Sequence, residues 1–311
     1  MVRKAKQVTI ESLGEFGLIN QIKKWVPCAS GSVVKGIGDD TAILPISKGR
    51  YQLLTIDTLV EDIDFKQSKA TPERIGWKAL AINLSDIAAM GGSPKIAVVS
   101  LTLPKQTSIK FVRGFYQGVQ KLARRFKVSI AGGDLSSGPK IVSSIAMLGE
   151  SKRRWAVLRN GAKVGDLLCV TGQLGGSILG KHLTFMPRVH EGQFIARHGA
   201  SAMIDISDGL GQDLNHLMND SRVGFIIDES KVPISQAAFR LSRRNPKQAL
   251  IRAFCDGEDF ELLFTIAPSK FKVLKRSWSR RFSIPLTVIG QVVRVSKTLF
   301  KPRRYLGYQH F

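Results

Sequence analysis

Residues 71–92 read TPERIGWKALAINLSDIAAMGG. Thr71, Pro72 and Glu73 form a helix start with proline in the first turn, and Gly91-Gly92 stops the helix after about Met90. Ser85 and Asp86 sit near its end. Working outward, 51–59 reads as a buried strand ending at Asp57-Thr58, and 96–103 as a second strand. Phe111, Phe115, Val119, Leu122 and Phe126 mark another helix, and strands follow at 128–131 and 141–148. An opening helix is expected at 12–26, with Ser12 capping and Glu15 three residues on. Elements alternate, so this half is α/β or α+β.

The basic stretch 151–154 is the expected boundary, giving domains 1–150 and 151–311. Beyond it the pattern predicts strands at 167–171, 202–206, 225–227, 261–266 and 286–293. Helical segments are expected near 176–183, 190–198, 210–218 and 268–277. The second domain is therefore also mixed.

The chain has 311 residues, 47 Lys and Arg against 24 Asp and Glu, and a net charge of +23. With 43% hydrophobic residues and mean hydropathy near zero it has the apolar mass for a core, which excludes disorder. The isoelectric point near 10.3 makes nucleic acid the first partner to consider. Its basic clusters, such as Arg124-Arg125, Lys152-Arg153-Arg154 and Arg280-Arg281, are short and dispersed. With no zinc-finger spacing, RNP-like aromatic run or helix-turn-helix, no specific nucleic-acid partner is expected. Cys28, Cys169 and Cys255 are an odd, scattered set without a C-x-x-C pair, as in a reducing compartment. No apolar run approaches the about 20 residues that span a bilayer, and no hydrophobic segment follows the basic N-terminus. A cytoplasmic protein without a membrane partner is expected.

The acids carry more information. Fourteen of the 24 lie in six short segments: 39–40, 57–64, Asp86, Asp134, 205–208 and 256–261. Taken singly, each suits a turn. Together, set among Gly and Ser that let a large ligand approach, they suggest a divalent-metal and phosphate site. Asp205 at a strand end and Ser207-Asp208 at a helix start project three oxygens at one point. Residues 175–181 read G-x-x-x-x-G-K, but His182 stands where a phosphate-binding loop has a Ser or Thr for magnesium. There is no G-x-S-x-G elbow, and the five histidines form no metal-ligand pair on one helical face. Chemistry in which metals and positioning suffice fits best, and phosphoryl transfer is such chemistry.

In this order the segments resemble the thiamine-monophosphate kinase family: Gly14-Glu15-Phe16, 36–40, 57–60, 78–90, 132–134, 159–163, 170–172, 204–210, 257–264 and 307–311. The likeness covers nearly the whole chain. It implies the two-domain fold of aminoimidazole ribonucleotide synthetase, with an N-terminal α/β domain that dimerises through its sheet and a C-terminal α+β domain. ATP, the co-substrate, would lie in the cleft between them. The resemblance further implies that Asp40, Thr55, Ile56 (through its carbonyl), Asp57, Asp86, Asp134, Asp205 and Asp208 hold several Mg²⁺ ions. Gly133, Asp134, Arg159 and Ser207 would contact ATP, and Asp57, Asp86, Asp134 and Arg159 would carry catalysis. Asp64, Glu258 and Tyr308 would face thiamine monophosphate, which the family converts to thiamine diphosphate. Because the accepting phosphate oxygen is already anionic, no strong base is required.

The chain departs from the family at Ile56 (for Thr), Asp64 (for a substrate-binding His), Leu135 (for Thr), Gly176 (for Asp), Asp256 (for Gly) and Tyr305 (for Trp). Asp64 and Asp256 would add negative charge beside the acceptor. A related ATP-using enzyme with a different acceptor is therefore the alternative reading.

Overall fold

A computed structural model of the chain describes residues 9–26, 31–47, 49–300 and 307. Cys28, Tyr305, Tyr308 and the rest of 308–311 lie outside the described residues.

The helix predicted from 71 is α2 (Pro72–Ala89), preceded by α1 (Ile10–Trp25). Thr71 caps α2 by accepting from the Arg74 N–H, and Gly91, at φ +65°, turns the chain away after Met90. Thirteen of its eighteen residues are buried. A helix apolar nearly all round needs cover on every side, and here two sheets and the helices at Ile109–Phe126 and Val189–Arg197 supply it.

The first sheet holds β1 (Ala42–Ser47), β2 (Arg50–Val60), β3 (Ser93–Leu103), β4 (Ser129–Ser137) and β5 (Val142–Lys152), ordered β1-β2-β5-β3-β4. Only β3 and β4 run parallel, joined by α3 (Ile109–Phe126). The second sheet holds β6 (Leu167–Thr171), β7 (Ala200–Asp205), β8 (Gly224–Ile227), β9 (Leu262–Ile266) and β10 (Leu286–Val293), ordered β7-β9-β6-β10-β8 and antiparallel throughout. With it go α4 (Val189–Arg197), α5 (Leu210–Ser221), α6 (Gln236–Leu241), α7 (Pro246–Cys255) and α8 (Pro268–Arg281).

One apolar core runs unbroken from Leu53, Val99 and Met147 of the first sheet, through Leu80, Leu84 and Ile87 of α2, to Met203, Leu262, Phe264 and Trp278 of the second half. A second core, with Leu168, Ile204, Leu214 and Phe254, fills the far side of the second sheet. The halves are thus fixed to each other by burial, and anything at their junction inherits that rigidity.

Four differences from the sequence expectation have physical causes. The cap of α1 is Thr9 with Ser12, and Gly14 leaves the helical region at φ 66°, ψ 169°, so Glu15 takes no part in it. Segment 176–183 forms two short 3₁₀ turns, because Gly176 and Gly180 take positive φ there. β4 continues past 131, so Gly133 and Asp134 lie within a strand rather than beyond its end. β1, α6 and α7 have no counterpart in the expected elements, being short or weakly periodic.

α2 and α3 meet backbone to backbone. A Cβ on Gly118 would stand 1.9 Å from the Glu73 carbonyl oxygen, and one on Gly76 2.0 Å from that of Phe115. Gly118→Val is therefore expected to destabilise by at least the about 1–3 kcal/mol of an overpacked core. Urea unfolding checks this, with exposed Lys121→Ala on the same helix as the neutral comparison; equal midpoints would show that the helices can separate.

Candidate active site

The carboxylates of Asp40, Asp86 and Asp205 come from three distant parts of the chain. They offer oxygens that all lie within 4.8 Å of one another. Each is delivered by an element end: Asp40 two residues before β1, Asp86 in the last turn of α2, Asp205 at the end of β7. Asp57, on the face of β2 that looks toward α2, lines the same cavity of about 790 Å³. So do Thr55, Asp64, Arg159, Ser207, Asp208 and Glu258.

The acids are held by neutral or cationic partners, most of them from the opposite half. Ser85 donates to Asp205 at 2.5 Å, and Arg159 donates from Nη2 to Asp40 at 2.5 Å. The Arg159 backbone N–H reaches Asp39 at 3.4 Å, and the Thr55 hydroxyl donates to Asp86. Asp40 Oδ2, Asp57 Oδ2 and Arg159 Nε are buried without any hydrogen-bond partner. Buried groups of this kind are normally paired, and all three residues line one shared cavity, which marks it as a place for a ligand.

Burial dominates the electrostatics. It pushes Asp57 up to about 6, aided by the charge of Asp40. Burial and Asp40 push Asp205 up to about 8, and burial and Asp40 push Asp39 up to about 7. Burial, with Asp57 and Asp205 adjacent, raises Asp86 well above the usual carboxylate range. Crowded carboxylates with all-oxygen donors fit a hard divalent cation such as Mg²⁺, which would remove the repulsion that raises them.

At the other end of the cavity, Lys78 is fully buried, donating to the Asp64 carbonyl at 2.7 Å and pairing with Glu258. Glu258 sits at φ +64°, its N–H donating to the Ser207 carbonyl at 2.6 Å. This extends the β7–β9 pairing and brings 205–208 beside 256–258. Ile63 and Ile178 add exposed apolar surface here. Neither substituted acid is free: Asp64 Oδ2 accepts from the Val60 N–H at 2.7 Å, and Asp256 Oδ2 from the Gly176 N–H at 2.9 Å.

Other expected residues are placed differently. The Ile56 side chain is 65% exposed on the opposite face of β2, so only its backbone faces the question of metal contact. Gly133 and Asp134 do not line the cavity. They lie on edge strand β4, separated from β2 by β5 and β3, about 14 Å at the usual strand spacing. Tyr308 lies outside the described residues, although Gly307 lines the cavity. The G-x-x-x-x-G-K turn is pinned rather than open to phosphate. Asp259 accepts from the Gly175 N–H at 2.6 Å and from Ser177 at 2.5 Å, and Lys181 is engaged by Glu261 at 3.1 Å. Although burial opposes its charge, Lys181 and Arg188 hold Glu261 below the usual range.

Sequence reading missed Lys78, Ser85 as a partner of Asp205, and a second cluster of Asp208, Asp213 and His216. A search for paired histidines passes over an Asp-x-x-His on one helix. Burial and the charge of Arg159 push His216 down to about 4.

The chain was compared with known proteins. Residues 38–151 match the AIR synthase related protein, N-terminal domain, and residues 145–299 its C-terminal domain. The thiamine-monophosphate kinase of Rhodopirellula baltica is 40% identical over 271 residues, 84% of each chain. That of Bacillus subtilis is 35% identical, spanning 96% of this chain and 100% of its own. A solved structure, AaThiL complexed with AMPPCP and TMP, superposes with a TM-score of 0.85 at 33% identity, over 99% of this chain and 100% of that one. Two matched domains and relatives alike from end to end leave one conclusion: the chain belongs to the AIR synthase related family and, within it, to the thiamine-monophosphate kinases.

Proposed function

We propose that the chain transfers the γ-phosphoryl group of ATP to the phosphate of thiamine monophosphate, releasing ADP and thiamine diphosphate. The observation that carries this is the convergence of Asp40, Asp86 and Asp205 beside the unpartnered Arg159 Nε in one cavity. We assign the metal-holding role to Asp40, Asp57, Asp86, Asp205 and Asp208, with Thr55 orienting Asp86 and Ser85 orienting Asp205. Mg²⁺, when bound, supplies charge neutralisation for the phosphates.

The chain's own residues then have distinct tasks. The guanidinium of Arg159, steadied by Asp40, keeps Nε for a phosphate oxygen. Ser207 stands where the nucleotide enters, at the junction of β7 and α5. One acceptor phosphate oxygen attacks the γ-phosphorus as the bond to the ADP oxygen breaks. No side chain needs to take a proton, which suits a cavity without a histidine among its described lining residues. Glu258, already paired with Lys78, faces the acceptor together with Ile63 and Ile178, an acid and apolar wall suited to a cationic ring. An acceptor other than thiamine monophosphate is the second reading, favoured by Asp64 in place of histidine. We place the activity in the cytoplasm, on the scattered thiols; among the described residues no helix is long and apolar enough to cross a membrane.

We also propose a homodimer built on the open face of the first sheet. Leu54, Leu148 and Ile96 form one row across β2, β5 and β3, and Ile56, Ala146 and Val98 the next. Leu54, Ile56, Ile96 and Val98 are 39–65% exposed, a contiguous apolar patch of the kind that marks an interface. Pairing two such faces is also the way Gly133 and Asp134, remote from their own cavity, serve a cavity of the partner.

Three outcomes test these readings. In an ADP-release assay, turnover is expected with thiamine monophosphate and not with thiamine or without acceptor. Asp86→Asn should lower it by more than the about 10–100-fold that loss of an outer-shell partner costs. Release with another acceptor alone would move the reading to the alternative enzyme.

Asp134→Asn and Asp86→Asn, each inactive alone, should regain activity when co-expressed, since one site in the mixed dimer is then intact. No recovery in verified mixed dimers would place Asp134 in its own chain's chemistry or outside it.

Asp39, Asp57, Asp86 and Asp205 all bind protons more tightly folded than unfolded. Their stabilising contribution is full below their ordinary value of 3.8 and is lost as pH rises toward about 8. Metal-free protein should therefore melt progressively lower between pH 5 and pH 8, at about these values, and Mg²⁺ should restore more at the upper end. A Mg²⁺ shift independent of pH in thermal scans would count against the cage.

A further inference from the structure

We infer that Asp208, Asp213 and His216 form a second divalent-cation site, which takes a first-row transition-metal ion in preference to Mg²⁺. Each offers one ligand atom, and the three atoms lie within 4.8 Å of one another. Two oxygens on opposite sides of one divalent ion, each about 2.1–2.4 Å from it, stand about 4.2–4.8 Å apart. Asp213 and His216, three residues apart on α5, share a helical face, the spacing by which inward carboxylate and imidazole ligands are presented in helical metal proteins. Asp208 joins them from the turn just before the helix.

A second observation points to a ligand. Asp213 is 1% exposed, and its Oδ2 is buried with no hydrogen-bond partner. An unmatched carboxylate oxygen is costly there unless a cation answers it. Arg159, whose charge acts on Asp213, gives its guanidinium hydrogen bond to Asp40 instead. The His216 ring is fixed by an edge contact with Phe16 of α1, centroids 4.6 Å apart, and Gln212 Nε2 lies 3.5 Å from its Nε2.

The donor set separates this site from the all-carboxylate cage. Imidazole nitrogen binds later first-row ions more strongly than Mg²⁺, whereas the oxygen set of Asp40, Asp86 and Asp205 does not discriminate in that way. The site shares Asp208 with the proposed function and rests on that reading in no other respect, since it requires neither ATP nor an acceptor.

The test uses the full chain, stripped of metal and without nucleotide, with MnCl₂ as probe under excess Mg²⁺. Electron paramagnetic resonance counts bound Mn²⁺, and electron spin echo modulation reads ¹⁴N coupling. One Mn²⁺ that carries imidazole ¹⁴N modulation is expected on the unmutated protein. His216→Gln should lose that modulation and weaken binding at least tenfold, Asp213→Asn should weaken it similarly, and Asp86→Asn should leave it unchanged. No retained Mn²⁺, a retained ion without nitrogen coupling, or unchanged binding in folded His216→Gln would overturn the site. Loss of the nitrogen-coupled ion in Asp86→Asn would overturn its independence. The nitrogen signal is read on the unmutated chain, so a variant that fails to fold does not decide the outcome, and failure here leaves the kinase assay standing.

Discussion

The burial of carboxylates that also repel one another is the constraint around which this molecule is built. Asp40, Asp57, Asp86 and Asp205 crowd one cavity, and left alone they would drive the two halves apart. Opposing this is the apolar seam that runs through α2 into both sheets. The seam does not merely join the halves: its helix carries Ser85 and Asp86 near its C-terminal end, so the element that supplies the cohesion also delivers the charge. A protein in which those duties fell to separate elements could relax by opening; this one can relax only by protonation or by taking up a cation.

Much of this was legible from residue types in order. The helix at 71–90 was bounded by Thr71 and Gly91, which follows from local capping and turn chemistry, whereas the strand expected to end at Asp57-Thr58 runs on to Val60. The grouping of acids beside Gly and Ser foretold that they serve a site, and three of them do meet. What local chemistry cannot encode is which way a side chain faces once strands pair. Ile56 and Asp57 are neighbours, yet the two-residue period of β2 sends one to the open face and the other to the cavity. Nor does it encode strand order. Asp134 has the right neighbours in Gly132 and Gly133, but β5 and β3 stand between it and β2.

The segment 256–261 shows the same limit more sharply. Its four acids look alike in sequence but divide in space: Glu258 faces the cavity, while Asp259 and Glu261 anchor the 175–181 turn. Asp256 has a further interest. It was expected to add charge to the acceptor pocket, yet its carboxylate accepts from the Gly176 N–H. A Cβ at Gly176 would stand 2.5 Å from the Ala238 nitrogen, so in this packing no aspartate fits there. The charge that seemed an addition to the acceptor pocket serves as a turn anchor.

The same accounting bears on the net charge of +23. α3 and α8, the two helices with broad solvent faces on their respective halves, contain no acid among their 18 and 14 residues. Lys152, Arg154 and Arg197 gather on the Trp155 ring, with ring distances of 4.7–5.2 Å. Acids, meanwhile, are drawn into the cavity and its anchors: Asp40, Asp205, Asp213, Asp259 and Glu261 are all buried. Burying these carboxylates adds to the basic exterior that 47 Lys and Arg against 24 Asp and Glu already dictate. For an anion the result is a long-range attraction toward the molecule, while the cavity itself gathers carboxylates around the cationic Arg159 and Lys78.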